Sequence, residues 1–461
     1  MSRIVLRDLA IVVTVDADDT VLRHVSIAIE DGVIAEIGAV AARDGDQVID
    51  GRTRLALPGL VNLHTHLSMT LLRGIAEGVD LQGFLTRVWA AEGAVMDPAT
   101  VELGATLGAL ESLLGGCTTQ LDMYFHHEAA HRGAVAAGTR HVGGPTFFDG
   151  PGPDGLEWEE RIAGLRAWPE VLRSIGGPEV PVAAMPHSTY TCSVEHLADV
   201  ASALREIAPA GVLHTHVSET AAENADTLAR LGSTPTELLA SAGILPPLPQ
   251  RLRKGSLEQP HPQTQRVVFG HGVHLTESDR ATAARAGVTV AHCPGSNLKL
   301  ASGALDWQRW RADGIHLGIG TDGCASSNDL DMWQAMRQAA HLAALTSGDP
   351  AVDAEQIVRA ATIDGALALG MDHLIGSLEV GKRADIVLLD LDQPHLTPVH
   401  DVPALLVHAA GRGDVTDVLV DGRIVVSERR STQVDTRDLL DRGRARARDA
   451  AAAAAHAVQE A

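Results

Sequence analysis

Residues 55–66 read LALPGLVNLHTH, an apolar run that ends in two histidines separated by one threonine. Alternate residues of an extended chain point the same way, so His64 and His66 can reach one metal ion. Short apolar runs of this kind recur across residues 58–370 and alternate with long stretches rich in Ala and Leu. Strand and helix repeated over roughly 300 residues predict an α/β fold whose parallel sheet closes into a (β/α)8 TIM barrel. The predicted helical stretches include residues 99–114, 193–207, 221–242 and 329–345.

The two ends of the chain carry a different pattern, rich in Val and Ile. Residues 21–38 are predicted to form strands around a turn at Asp31-Gly32. The same pattern returns in residues 415–426 around Asp421-Gly422, and residues 384–391 read as another strand. We therefore expect strands from both termini to build one small β-sandwich, with two unrelated terminal sheets as the alternative.

These patterns divide the chain into parts. Residues 1–57 plus 371–436 form the predicted β-sandwich domain, and residues 58–370 form the predicted metal-dependent barrel. Residues 437–461 are expected to be a helical tail on the surface. The Pro-rich residues 244–265 carry charges and few apolar anchors, so we expect an exposed insertion there.

The composition narrows the class of function. The chain has 461 residues, of which 45% are hydrophobic, so it can bury a substantial core. Its net charge of −22 disfavours nucleic-acid backbones and anionic membranes, and six Trp, five Phe and two Tyr offer few rings for base stacking. Its four cysteines are far apart, and neither a signal peptide nor an apolar span is evident. We expect a cytoplasmic enzyme that acts on small molecules, without a nucleic-acid or membrane partner.

Further polar side chains follow the apolar runs at other predicted strand ends. His216 ends a second His-x-His pair, Glu219 follows it closely, and His271 and Asp322 each follow a later run. The carboxyl ends of barrel strands meet on one face, so these groups are expected to form one N/O metal site suited to Zn²⁺ or Fe²⁺, with Glu219 as an acid or base beside it. His214, the first member of the second pair, is expected to be structural. The zinc site of cytidine deaminases is excluded, because the chain has no Pro-Cys-x-x-Cys motif.

Together these motifs resemble those of the amidohydrolase superfamily. Within it they are similar to the branch of S-adenosylhomocysteine/5′-methylthioadenosine deaminases and triazine hydrolases, in order and over nearly the whole chain. The matching segments are PGLVNLHTHLSMTLLRG (58–74), TTQLDMYFH (118–126), MPHSTYTCS (185–193), HTHVSET (214–220), FGHGVHLTE (269–277), AHCPGSNLKLASG (291–303) and IGTDGCASSNDLDMW (319–333).

The resemblance implies a fold, a metal and a reaction. The implied fold is a distorted barrel with a small β-sandwich, and the implied cofactor is one divalent metal ion, Zn²⁺ in the first place and Fe²⁺ in the second. The implied ligands are His64, His66, His216 and Asp322. By resemblance, Glu219 protonates a ring nitrogen of the substrate, Asp322 and His271 position the attacking water, and Asp322 takes its proton. The implied reaction is hydrolytic deamination of an aminated N-heterocycle, such as an adenine nucleoside, with release of ammonia.

The resemblance also suggests substrate contacts. Glu92 aligns with a carboxylate that contacts ribose hydroxyls in nucleoside deaminases, with a charge on the surface of a helix as the alternative. His187 aligns with a substrate-contacting histidine. Trp89 is a further candidate for the pocket wall, with a core position as the alternative. Adenosylhomocysteine deaminases carry arginines for the amino-acid end of their substrate, whereas residues 140–164 offer Arg161 alone after their first residue. A neutral substrate such as methylthioadenosine, adenosine or a triazine therefore fits better than adenosylhomocysteine.

Other interpretations stay open at this point. One is a triazine-type chlorohydrolase or aminohydrolase, and the other is a relative that has lost catalysis. A homo-oligomer is expected because relatives often form one.

The rings expected to recognise a flat substrate are Trp89, Phe147, Phe148, Tyr190 and Trp333.

Overall fold

The alternation of strands and helices is realised in a computed structural model that describes residues 3–245 and 265–460, apart from the side chains of residues 454 and 456–460. The strands are β1 (Ile4–Val13), β2 (Val21–Glu30), β3 (Val33–Gly38), β4 (Gln47–Asp50), β5 (Arg54–Pro58), β6 (Leu60–Thr65), β7 (Cys117–Asp122), β8 (Arg140–Gly143), β9 (Thr146–Phe147), β10 (Ala183–Pro186), β11 (Val212–Val217), β12 (Arg266–His271), β13 (Thr289–His292), β14 (His316–Ile319), β15 (Ile386–Asp390), β16 (Val415–Val420), β17 (Arg423–Ser427) and β18 (Arg430–Ser431). The helices are α1 (Leu81–Val95), α2 (Pro98–Leu114), α3 (His127–Ala137), α4 (Trp158–Ile175), α5 (Val194–Ile207), α6 (Ala221–Leu231), α7 (Pro235–Ser241), α8 (Glu277–Arg285), α9 (Pro294–Lys299), α10 (Trp307–Ala312), α11 (Met332–Ser347), α12 (Ala354–Ala360), α13 (Ile363–Ala368), α14 (Val402–His408) and α15 (Thr436–Glu460). Short 3₁₀ turns occupy Leu67–Leu72, Pro394–Leu396 and Arg412–Asp414.

The barrel consists of parallel strands in sequence order. β6, β7 and β8 form one ladder, and β9 to β14 form another. Only Gly144 and Pro145 separate β8 from β9, so these two short strands occupy one position in the ring. The ring closes where the backbone N–H groups of Thr321 and Asp322, just after β14, donate to the carbonyl of His64 on β6. The described strands therefore occupy eight positions, which confirms the predicted α/β barrel.

Strands from both ends of the chain share one nine-stranded sheet. Its order is β18-β17-β16-β15-β5-β1-β2-β3, and β4 also pairs with β1. The two predicted turns are present, and Asp31-Gly32 and Asp421-Gly422 all have positive φ, as type I′ hairpins require. Only Gly59 separates β5 of this sheet from β6 of the barrel. The predicted union of the two ends is therefore confirmed, whereas the exact domain boundaries stay a prediction.

The prediction of one continuous helix over residues 221–242 is wrong. α6 ends at Leu231, because the next residue, Gly232, has a φ of 71° that terminates the helix, and α7 begins after Thr234. The Thr234 side chain accepts from the backbone N–H of Glu237, and Pro235 occupies the first turn. These are start and stop signals that the apolar periodicity alone does not reveal. Most of the predicted insertion, residues 246–264, lies outside the described residues.

The C-terminal helix is packed onto the barrel. α15 lies against α1 and α2, with Leu439 and Ala450 buried. The Arg446 guanidinium bonds Asp97 Oδ2 at 2.7 Å and Thr100 Oγ1 at 2.7 Å. The tail therefore braces α1, which forms part of the cavity described below. Across residues 3–245 and 265–460, no helix is both long and apolar enough to cross a membrane.

Candidate active site

Five predicted side chains meet in a buried cluster at the carboxyl ends of the barrel strands. One imidazole nitrogen from each of His64, His66 and His216 lies within 4.8 Å of the other two, and the same holds for the imidazole nitrogens of His64 and His271 and a carboxylate oxygen of Asp322. Asp322 Oδ1 is 3.3 Å from His64 Nε2 and 3.1 Å from His66 Nε2. His271 and Asp322 both have positive φ, a strained conformation for non-glycine residues that is frequent at functional sites. The barrel thus brings together groups that are far apart in sequence.

Hydrogen bonds orient two of the imidazoles toward the centre of this cluster. His66 Nδ1 is 2.6 Å from the Met123 carbonyl, and His216 Nδ1 is 2.8 Å from the His187 carbonyl. Because a carbonyl oxygen only accepts, each Nδ1 carries the donated proton. In the neutral imidazole the Nε2 lone pair is then free to bind a cation.

His64 is oriented by a second histidine instead of by a carbonyl. His214 Nδ1 donates to the Val268 carbonyl at 2.9 Å, so its Nε2 is the acceptor. His64 Nδ1 lies 2.7 Å from that Nε2 and donates to it. His64 Nε2 is buried and has no hydrogen-bond partner. His214, expected to be merely structural, fixes the tautomer of a candidate metal ligand.

The arrangement fits a divalent cation. Three imidazole nitrogens and a carboxylate oxygen face one another in a buried space, and a cation shared among them would satisfy all four. Imidazole nitrogen with one carboxylate is a donor set that suits Zn²⁺ and Fe²⁺. Asp322 is itself held by the Gly323 N–H on Oδ1 at 2.8 Å and by the Ser326 hydroxyl on Oδ2 at 2.7 Å. Outer hydrogen bonds of this kind are what orient ligands in metal sites.

Glu219 and His271 lie beside the candidate metal centre. Glu219 Oε2 is 3.7 Å from His271 Nε2, and the Ser302 hydroxyl is 3.4 Å from Glu219 Oε1. Asn297 Oδ1 accepts from His271 Nδ1 at 2.9 Å. Burial raises the pKa of Glu219 above its ordinary value, although His271 acts in the opposite direction. A carboxyl group with a raised pKa is suited to deliver a proton to a bound base.

A cavity opens above these groups. Its polar end contains the cluster and Glu219, and the remaining wall is mostly apolar. The side chains that line it are His66, Met69, Leu81, Phe84, Leu85, Val88, Trp89, Glu92, Met123, Tyr124, Phe125, Thr146, Phe148, His187, Tyr190, His216, Glu219, His271, Leu300 and Asp322.

The three predicted substrate contacts all line this cavity. Glu92 is buried and accepts from the Tyr124 hydroxyl at 2.7 Å, while its other oxygen, Oε2, has no partner. Burial raises the pKa of Glu92 to about 7. The ring of His187 lies 6.1 Å from that of Trp89, edge to face, and burial lowers the pKa of His187 to about 3. The surface-charge alternative for Glu92 is therefore wrong, as is the core alternative for the partly exposed Trp89.

The sequence profile of the amidohydrolase family matches residues 55–425. The chain belongs to the amidohydrolase family. It is 38% identical to a protein of Desulforudis audaxviator named 5-methylthioadenosine/S-adenosylhomocysteine deaminase, over 90% of this chain and 92% of that protein. It is 33% identical to an adenosine deaminase from Xanthomonas campestris whose crystal structure contains zinc, with a TM-score of 0.87 over 97% of this chain and 98% of that one.

A triazine hydrolase shares the fold. Atrazine chlorohydrolase from Arthrobacter aurescens, crystallised with zinc, is 24% identical with a TM-score of 0.82, over 96% of this chain and 100% of that one. The predicted resemblance to both branches of the family is thereby confirmed.

The aromatic wall of this amidohydrolase differs from the prediction. Trp89, Phe148 and Tyr190 line the cavity as expected, but Phe147 and Trp333 are buried in the core. Phe147 precedes Phe148 along an extended segment, so the two rings point in opposite directions. The Trp333 indole instead donates to the carbonyl of Gly115. The rings that sequence reasoning missed are Phe84, Tyr124 and Phe125.

Several supporting groups of the amidohydrolase site are also absent from the residues predicted from the sequence. Asn297, which holds His271, and Ser302, which contacts Glu219, both fall inside the quoted segment 291–303. Tyr124, the partner of Glu92, falls inside segment 118–126. Their positions inside the segments that match the family pointed to these residues, but no spacing in the sequence identifies the side chains that they contact.

Proposed function

We propose that this amidohydrolase is a divalent-metal-dependent deaminase of adenine-type nucleosides. The observation that carries the proposal is the buried meeting of three imidazole Nε2 atoms and Asp322 Oδ1 beside Glu219, at the floor of a cavity lined mostly by aromatic and apolar side chains. His64, His66, His216 and Asp322 would hold the metal ion. Zinc is preferred over iron, since the adenosine deaminase at 33% identity was crystallised with zinc.

When bound, such a cation lowers the pKa of a coordinated water and so supplies a nucleophile at neutral pH. In the proposed mechanism, Asp322 accepts a proton from the attacking water, because its Oδ1 faces the cluster while two donors fix the carboxylate. Glu219 donates a proton to the ring nitrogen next to the amine-bearing carbon, which makes that carbon a better electrophile. His271, held by Asn297, stabilises charge that develops at the carbon under attack. The proton held by Asp322 then passes to the amine, which leaves as ammonia, while the proton of the added hydroxyl returns to Glu219 as the ring carbonyl forms.

The wall above the floor supports a nucleoside as the substrate. The unpaired Oε2 of Glu92 is a buried acceptor that a ribose hydroxyl can satisfy. His187 and the surrounding rings offer a flat apolar slot for a base. The named relatives act on methylthioadenosine, adenosylhomocysteine and adenosine, which share the adenine nucleoside unit. Cytoplasmic location and homo-oligomerisation stay predictions from the sequence.

The proposal is tested by ammonia release from the purified protein loaded with zinc or with iron. The screen covers adenosine, methylthioadenosine, adenosylhomocysteine, guanine, cytosine, pterins and aminotriazines, and chloride release from a chlorotriazine tests the triazine alternative. We expect adenine nucleosides to be the best substrates and Glu219→Gln to abolish most of the turnover while retaining the metal. Protein that binds no transition metal and turns over no aminated ring would refute the enzyme assignment.

A further inference from the structure

The cavity wall is uneven in charge. Three carboxylates line it, from Glu92, Glu219 and Asp322, whereas no Lys or Arg in the described part of the chain does. The reacting ring lies next to Glu219 in the proposed function, so the rest of a nucleoside extends toward the aromatic wall. A negatively charged group carried there is removed from water without meeting a counter-charge, and burial of an unpaired charge is unfavourable.

One guanidinium lies directly behind this wall. Arg161 is buried on α4, and its Nη1 donates to the carbonyl of Thr146, a lining residue, at 2.8 Å. Its Cζ lies 5.5 Å from the ring centroid of Phe148, which lines the cavity, whereas Arg161 itself does not. The phenyl ring therefore separates this cation from a bound ligand.

The charge of this guanidinium is already matched by a carboxylate. Asp154 accepts from Arg161 Nη1 at 2.8 Å on Oδ2 and from Nη2 at 2.6 Å on Oδ1, a two-pronged pair in which both side chains are almost fully buried. Such paired charge-assisted bonds are strong and geometrically specific. The Arg161 N–H on Nε is buried and has no partner, and it belongs to a residue that does not line the cavity.

The groove next to the cavity shows the same charge pattern. It shares Leu81, Tyr190 and other apolar residues with the cavity wall. Its single Lys or Arg among the described residues is Arg230, whose Nη1 lies 3.0 Å from Asp226 Oδ2 on the same helix. The carboxylates of Asp80 and Asp226 both line this groove. An anionic substituent therefore gains no free cation by leaving the cavity along this path.

We propose that Asp154 and Phe148 withhold Arg161 from the ligand, so that the site selects adenine nucleosides whose 5′ substituent carries no negative charge. This inference rests on the proposed function and narrows its substrate class. The curated relative is named for two substrates that differ in this property. Methylthioadenosine has an uncharged thioether, and adenosylhomocysteine has a carboxylate and an ammonium group.

The first test needs only the wild-type, metal-loaded enzyme. Adenosine-5′-carboxamide and adenosine-5′-carboxylate have almost the same shape and differ in charge, so their kcat/KM ratio isolates the electrostatic preference. We expect the carboxamide to be favoured at least about 30-fold, and methylthioadenosine to be favoured over adenosylhomocysteine at least about 10-fold. Equal kcat/KM for the carboxamide and the carboxylate overturns the inference. Absence of turnover with every adenine nucleoside instead overturns the proposed function on which the inference rests.

The second test removes the carboxylate that neutralises Arg161. Asp154→Asn keeps the size and one of the two hydrogen-bond acceptors but leaves the guanidinium unneutralised, so the carboxamide-to-carboxylate ratio should fall at least about fivefold. The fall should come from a higher kcat/KM for the carboxylate, with that for the carboxamide changing less than about threefold. The matched control is Asp385→Asn, because Asp385 pairs with the buried Arg140 through two similar hydrogen bonds and does not line the cavity.

A third variant removes the Phe148 ring that separates Arg161 from the cavity. Phe148→Ala should also lower the carboxamide-to-carboxylate ratio, and circular dichroism and thermal melts establish which variants are folded. If Asp154→Asn does not fold, Phe148→Ala and the wild-type substrate pair still decide the question. A folded variant of either kind with the wild-type ratio, or an equal fall in Asp385→Asn, overturns the assignment to Arg161.

Discussion

Replacement of His214 by leucine tests how far the hydrogen bonds behind the cluster determine metal affinity. His214 is fully buried and receives the Nδ1 proton of His64 at 2.7 Å. Leucine has a similar volume but no acceptor, so the buried His64 Nδ1–H loses its partner. His64 can then rotate or adopt the other tautomer, which places a proton on the nitrogen that faces the metal site.

The expected magnitude follows from that single lost bond. A buried donor left without a partner costs about 1–3 kcal/mol, and about 1.4 kcal/mol corresponds to a tenfold change in a binding constant. Loss of outer-shell partners typically weakens metal binding by about 10–100-fold. Both estimates lead to the same expectation, an increase of about 10–100-fold in the Kd for zinc.

The assay is competition for zinc between the apo-protein and a chromophoric chelator, followed at fixed pH. His214→Gln is a matched variant, since its amide oxygen can accept from His64 while its N–H₂ group donates to the Val268 carbonyl. It should recover part of the affinity. His292→Leu is the control for loss of a buried barrel histidine, because both ring nitrogens of His292 lack hydrogen-bond partners. Wild-type affinity in His214→Leu, or equal weakening in His292→Leu, would refute the reasoning.

Three further predictions concern catalysis, pH dependence and packing. Glu219→Gln should lower kcat by about 10²–10⁴-fold with unchanged zinc content, measured by steady-state ammonia release and metal analysis. Burial raises the pKa of Glu92 to about 7, against 4.5 for an ordinary glutamate, because the folded protein disfavours the ionised form. The free energy of unfolding therefore falls as the pH rises between these two values. Glu92→Gln should remove a loss on the order of 3 kcal/mol, seen as a divergence from wild type in urea unfolding between about pH 5 and about pH 8. Gly144→Ala should destabilise the fold by about 1–3 kcal/mol in the same assay, because its Cβ would lie 1.9 Å from the Ala183 carbonyl oxygen, whereas Gly150→Ala meets no atom within 4 Å and should be neutral.

The sequence was sufficient to predict the barrel and the convergence of its polar groups. Parallel strands all place their carboxyl ends on one face, so histidines such as His64 and His271 had to approach one another once the strands were recognised. The role of His214 in orienting His64 was not predictable in the same way. Alternation shows that His214 and His216 both point inward, but not that His214 lies within reach of His64, on a strand that is not its neighbour.

The contacts that form the cavity wall were likewise not predictable from the sequence. Phe84 is on α1, and Phe125 lies after β7, so their approach depends on how a helix and a loop pack above the barrel. The pairing of Arg161 with Asp154 likewise depends on the path of a loop that periodicity does not describe. Strand ends are predictable from local pattern, whereas contacts between loops require the tertiary structure.

The joining of β5 to β6 through Gly59 has a consequence for biosynthesis. β5 is translated early, yet its antiparallel partner β15 begins only at Ile386. Contacts that span such a sequence distance form late, because the loop between them must close first. β6, which carries His64 and is followed directly by His66, therefore emerges from the ribosome long before the partner that anchors its neighbour. The last candidate ligand, Asp322, also precedes β15, so the sheet that joins the two ends of the chain is completed only after every candidate ligand has been translated.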